Sequence, residues 1–150
     1  MAEGAQRYLQ EEKYLRSRVA AGVAHGQLEN NVIFIRTPKM NADNQIQAVW
    51  AYEVKDEFID QFKEAYGPDG KWANLFRHCP GYIKTLLLRD FDNPNRFITI
   101  DSWQSYAAYS SMKEIVTSEY EYLDKQCEPY TATEDHLGIY EMIDDWKNDA

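Results

Sequence analysis

One short run holds most of the residue types that could do acid–base chemistry. Asp101 lies in Ile100-Asp101-Ser102-Trp103, a carboxylate in a stretch that favours strand structure. A carboxylate so placed is either paired or raised in pKa, and a raised carboxyl group is a candidate general base. The structural alternative, and the commoner one, is an ion pair or hydrogen bond with Arg89 or Arg96 across a hairpin. Residues of a strand alternate between faces, so Phe97, Thr99 and Trp103 share the face of Asp101. Thr99 offers a hydroxyl donor. Trp103 reads first as a core residue beneath a helix and second as a pocket wall. Tyr109 reads as core with its hydroxyl at the rim. It becomes a donor to a substrate where that rim is shared with Trp103. Asp101 is therefore the leading candidate catalytic group. Trp103, Trp50, Tyr52, Trp72, Phe76, His78 and Arg89 are the candidate substrate-binding set, Arg89 being suited to an anion although a strand-end Arg is more often simply exposed.

Other constellations lead nowhere. His25, His78 and His136 have no metal-ligand spacing between them, and Cys79 and Cys127 lack nearby partners, so no metal is expected. Adjacent His78 and Cys79 point apart in extended chain, and no third group orients them as a nucleophile pair. His78 would gain from a helix C-terminus without any catalytic role. His136 reads as a solvated edge residue at the start of a last strand. Gly67-Pro68-Asp69-Gly70 is either a gate or a rigid corner, and Pro68 favours the corner. It is no phosphate cradle, because no glycine-rich phosphate motif follows a strand.

These residues need elements to position them. Residues 48–54 alternate, with Trp50, Tyr52 and Val54 on one side, and read as a strand. Asp56 is a candidate N-cap for a helix carrying Phe58, Ile59, Phe62, Ala65 and Tyr66 at helical spacing. The Gly/Pro turn stops it, and Trp72, Leu75 and Phe76 restart a short helix that Pro80-Gly81 ends. Residues 82–91 and 96–103 form a hairpin about Asp92-Asn93-Pro94-Asn95. Ser105 caps a helix to about Met112, and another runs over 115–127 until Pro129. Residues 136–143 are the fourth strand. The order β-α-β-β-α-β predicts an α+β, ferredoxin-like, four-stranded antiparallel sheet with helices on one face. The inward sets Trp50/Tyr52/Val54, Leu86/Leu88, Phe97/Thr99/Asp101/Trp103 and Leu137/Ile139 are too apolar for one small core beside a solvated face. A second copy covering the other face satisfies them, so a homodimer is expected.

Around this domain, 46–143, lie an N-terminal extension, 1–45, and an acidic tail, 144–150. In the extension, 5–20 holds helix formers and 32–35 a β-branched run. It is a candidate docking arm for a partner or the sister subunit. The chain has 150 residues, one domain's worth, with 44% hydrophobic and 14% aromatic content, which excludes a mostly disordered chain. Sixteen Lys and Arg against 25 Asp and Glu leave a net charge of −9, which argues against nucleic acid. No apolar run suits a membrane span, residues 1–10 lack a signal-peptide pattern, and two cysteines make no disulfide framework, so a cytoplasmic protein is expected.

Residues 95–103, with Tyr106-Ala107-Ala108-Tyr109, resemble the third strand and second helix of antibiotic biosynthesis monooxygenase (ABM) domains. The segments 65–70, Trp72, Leu75-Phe76-Arg77, Pro80-Gly81-Tyr82, Glu119-Tyr120, Leu123-Asp124, Cys127-Glu128 and Gly138-Ile139-Tyr140-Glu141 look like one branch of that superfamily. The likeness spans about 47–143. It implies a dimeric α+β barrel and a cofactor-independent monooxygenase that binds a small aromatic or enolisable molecule and molecular oxygen, with neither metal nor flavin. In such members the strand Trp, a Tyr six residues later and an Asn four residues before the Trp contribute to the pocket. Trp103 and Tyr109 match, and Thr99 stands in place of the Asn, so the resemblance implies Tyr109 and Thr99 as hydrogen-bond donors that join Asp101 in the candidate catalytic set. A haem-degrading branch relies on a helical His that 105–126 lacks. Many members carry His where this chain has Met112. The departure at Thr99 keeps a second reading open, a non-catalytic or stress-related dimer that binds a small molecule.

Overall fold

A computed structural model describes residues 44–146. The expected extension elements, His25 and the end of the acidic tail lie outside the described residues. The sheet order is β2-β3-β1-β4 and every pairing is antiparallel. The strands are β1 (Ile46–Val54), β2 (Tyr82–Arg89), β3 (Arg96–Trp103) and β4 (Thr131–Glu141). Between β1 and β2 run a 3-10 turn (Asp56–Phe58), α1 (Ile59–Tyr66) and α2 (Lys71–Phe76). Between β3 and β4 run α3 (Tyr106–Ile115), α4 (Thr117–Cys127) and a 3-10 turn (Glu128–Tyr130). This is the predicted ferredoxin-like arrangement. No helix among the described residues is long and apolar enough to cross a membrane.

The core lies between the sheet and the helices. β1 contributes Ile46, Ala48, Trp50, Tyr52 and Val54, and β3 contributes Phe97, Thr99, Asp101 and Trp103, all buried. Strand alternation predicts both sets. The helices answer with Phe62, Tyr66, Trp72, Phe76, Tyr109 and Tyr120, also buried. Ser105 caps α3 as its residue type predicts, accepting a hydrogen bond from the Ala108 amide at 3.1 Å.

Several local expectations need correction. Asp56 does not cap α1. It opens the 3-10 turn, and its carboxylate accepts from the Asn95 side chain at 2.5 Å. The helical stretch after Ser105 runs on to Ile115 and breaks at Val116, which leaves the helical region at φ −122°, ψ 32°. β4 begins at Thr131, so His136 sits mid-strand, its ring 4.5 Å from that of Trp50. Leu86 and Leu88 face away from the helices, with 41% and 46% of their surfaces exposed. They lie opposite Ile100 and Ile98, whereas Thr85 and Leu87 oppose the inward Asp101 and Thr99. Leu137 does not pair inward with Ile139. A bulge at this point of β4 leaves it 41% exposed, while Ile139 opposes Ala48.

The turn 67–70 is a pinned corner. Arg77 donates to the Pro68 carbonyl at 2.9 Å and to Asp69 Oδ1 at 3.0 Å. A Cβ on Gly70 would stand 2.5 Å from the Glu64 carbonyl oxygen, so only glycine lets the corner close on α1.

Candidate functional site

The inward face of β3 carries three of the chemical groups, and its neighbours complete them. Trp103, at the end of β3, is fully buried. Ring centroids of Phe76 from α2, Tyr82 from β2 and Tyr109 from α3 lie 5.5, 5.3 and 6.1 Å from its own, each edge-to-face. Such pairs add ~0.5–1.5 kcal/mol each beyond area burial. The indole Nε1 of Trp103 is buried with no hydrogen-bond partner among the described residues. A buried donor left so costs about 1–3 kcal/mol, which a bound acceptor would relieve.

Asp101 is 7% exposed. Its Oδ1 accepts from the Thr85 hydroxyl at 2.5 Å, and the Tyr82 hydroxyl lies 2.6 Å from that same Thr85 oxygen. The ion pair expected with Arg89 or Arg96 does not form. Arg96 lies 3.8 Å from Asp90 instead. Arg89 donates to the Pro94 carbonyl at 2.7 Å and stacks over Phe97 at 5.0 Å. The reason is register. Arg89 opposes Phe97 whereas Asp101 opposes Thr85, so the two lie four residues apart along the hairpin, about 13 Å by the usual rise per residue.

Thr99 meets Tyr52, hydroxyl to hydroxyl, at 3.3 Å. Tyr52 stacks on towards Trp50 at 6.4 Å, and Tyr66 bridges Tyr52 and Trp72 at 5.0 and 6.0 Å. Trp72 packs 5.9 Å from Phe76. Trp50, Tyr52, Trp72 and Phe76 thus form one aromatic layer running from β4 to Trp103. His78 stays outside it. It is exposed beyond α2 and lines an open groove of about 690 Å³ with Leu75, Ile115, Val116, Tyr122 and Leu123. That groove does not reach Trp103.

Burial pushes the Cys79 thiol up, so it is held protonated and is a poor nucleophile. Cys79 and Cys127 are both free and buried. Burial also pushes the Tyr82 hydroxyl up; the Thr85 contact lowers it in part and the Asp101 charge raises it further. Among the described residues no group of three or more His, Cys, Asp or Glu side chains gathers as a metal site would need.

Sequence reasoning missed Tyr82 and Thr85. Three positions apart on a strand, they should face opposite ways. A register shift between Tyr82 and Lys84 puts them on one face. The only signal was the Pro80-Gly81 entry to the strand, where Gly81 adopts φ +90° and its Cα faces Ala108 so closely that a Cβ would stand 2.5 Å from the alanine methyl.

No protein-family model matches the sequence. No curated protein matches it either. Solved structures do match. A protein from Nitrosomonas europaea proposed to be an antibiotic biosynthesis monooxygenase is 20% identical, with a TM-score of 0.53 over 67% of this chain and 92% of that one. SnoaB, a cofactor-independent oxygenase from Streptomyces nogalater, is 18% identical, with a TM-score of 0.54 over 70% of this chain and 99% of its own. A protein from Bordetella bronchiseptica, also proposed to be an antibiotic biosynthesis monooxygenase, is 15% identical, with a TM-score of 0.52 over 69% and 99%. The chain therefore has the ferredoxin-like α+β fold of the antibiotic biosynthesis monooxygenases.

Proposed function

We propose that the protein is a cofactor-independent monooxygenase that acts on a small aromatic or enolisable molecule held beside Trp103. The observation that carries this reading is the buried Trp103 N–H, without a partner among the described residues, inside a ring of Phe76, Tyr82 and Tyr109. An aromatic surround suits a flat substrate, and a fixed donor suits the oxygen on which charge develops. Asp101 takes the substrate proton, Tyr109 is a second donor, and Thr99 holds Tyr52 in the aromatic layer with Trp50, Trp72 and Phe76. The anion then gives one electron to oxygen. The radical and superoxide so formed combine as a C–O bond, and the resulting hydroperoxide loses water. A methylene and one O2 become a carbonyl and one water, so no outside reductant is required. Oxygen uptake with anthrone as probe tests this. One O2 consumed per anthraquinone formed is expected, and Trp103→Phe should lower kcat/KM about 100-fold. No turnover across anthrones and catechols overturns the reading.

The second reading, a non-catalytic binding protein, is favoured by Thr99. Its hydroxyl already meets Tyr52, so it offers a ligand little where the resembling enzymes carry an amide. Tight binding of anthrone without oxygen uptake would select it. Under either reading we propose a homodimer. Leu86, Leu88, Ile98 and Ile100 make an apolar patch on the sheet face that the helices leave bare. A second sheet packed on this face would cover it. The free, buried cysteines support a reducing compartment, the cytoplasm.

A further inference from the structure

We propose that Tyr82, Thr85 and Asp101 form a proton relay, with Tyr82 as the residue that touches the substrate. This rests on the monooxygenase reading and names the route by which the proton leaves. The bulge after Tyr82 is what creates the route. A regular strand would send the Tyr82 side chain to the bare face; the extra residue turns it inward, above Trp103 and in line with Thr85. The two contacts, 2.6 and 2.5 Å, are as short as hydroxyl bonds leading to a carboxylate become.

The direction of the chain follows from proton counting. A carboxylate only accepts, so the single Thr85 proton goes to Asp101. The Thr85 oxygen must then accept from the Tyr82 hydroxyl. Tyr82 is left with an oxygen lone pair to receive a proton from a third group. Exposure runs the same way. Tyr82 is half-buried, whereas Thr85 and Asp101 are 4% and 7% exposed. The entry is reachable and the terminus is shielded. The ring of Tyr82 stands 5.3 Å from that of Trp103, so an acceptor oxygen and the unpartnered indole donor belong to one aromatic cluster.

In the step, the substrate proton moves to Tyr82 Oη as the Tyr82 proton moves to Thr85 Oγ1 and the Thr85 proton to Asp101 Oδ1. The electron pair stays on the substrate as an enolate and Asp101 ends protonated. Tyr82 holds its proton at neutral pH, as a tyrosine ordinarily does and as burial reinforces, so it passes a proton on only as it receives one.

The experiment is anaerobic exchange of the anthrone methylene protons in deuterium oxide, catalysed by the full chain and followed by NMR. Thr85→Val and Tyr82→Phe should each slow exchange about 100-fold or more, and Thr85→Ser should restore it to within a few-fold. The double variant should be no slower than either single one, because a relay broken once is broken. Should Thr85→Val fail to fold, Tyr82→Phe, which keeps the ring, decides. Exchange at the unmodified rate in Tyr82→Phe overturns the relay, as does no exchange by the unmodified protein. Oxygen uptake measured in parallel separates the two proposals. Uptake indifferent to Tyr82 and Thr85 upholds the oxygenase and overturns the relay. Exchange that depends on them without uptake upholds the relay and overturns the oxygenase.

Discussion

The two faces of the sheet are made by the same strands and solve opposite problems. On the helix side most inward positions of β1 and β3 are aromatic or are a hydroxyl or carboxylate with a partner, as in Tyr52–Thr99 and Thr85–Asp101. On the other side Ile98, Ile100, Leu86 and Leu88 line up with no helix or strand among the described residues over them, flanked by the polar pairs Ser102–Gln47 at 2.5 Å and Asn93–Glu53 at 3.0 Å. Alternation lets one strand serve both faces. It also means that one extra residue changes which face a side chain serves. The bulges in β2 and β4 use that freedom, one to bring Tyr82 in and the other to put Leu137 out.

Substitutions can break or sharpen this contrast. The largest effect belongs to the filled face. Phe62→Ala removes a fully buried ring that packs on Tyr52, Tyr66 and Phe97, and should cost about 3–5 kcal/mol by urea unfolding. Next comes the bare face. Ile100→Glu should leave monomer stability nearly unchanged but weaken self-association about 100-fold, about 2.7 kcal/mol, by sedimentation equilibrium. Equal damage to both quantities would mean that the two faces are not independent. Gly81→Ala forces a positive φ on alanine and a methyl into Ala108, so a loss of about 2 kcal/mol in unfolding free energy is expected. Smallest is Ser105→Ala, about 1 kcal/mol, from loss of the α3 cap.

Much of the fold was legible because the two central strands alternate cleanly and the turns use Gly, Pro and Asn. The strand β2 was read correctly but its inward face was not, because Leu86-Leu87-Leu88 fits either phase of a two-residue period. What fixes the phase is the Thr85 hydroxyl on Asp101, a contact between residues that no local pattern links. The start of β4 was hidden for a different reason. Thr131 to Asp135 carries no large apolar residue, as suits a strand with one open edge, so it gives no periodic signal. At the site, alternation grouped Thr99, Asp101 and Trp103 correctly. It also turned attention from Tyr82 and Thr85, whose meeting depends on an irregularity. The expected salt bridge failed because Arg89 and Asp101 are far apart along the hairpin, a distance that sequence adjacency across a turn does not convey.

β1, the earliest strand in the described chain, lies in the interior of the sheet. Its second neighbour, β4, is the latest, and Ile46 pairs with Glu141. While the polypeptide is being synthesised, β1 can therefore dock on the finished hairpin but must keep one ladder of amides and carbonyls open, beside Trp50, until translation has delivered nearly the whole domain. Long-range pairing of this kind is slow to complete. A ribosome that stalls between α4 and β4 would leave behind a sticky nascent species, a natural client for a chaperone.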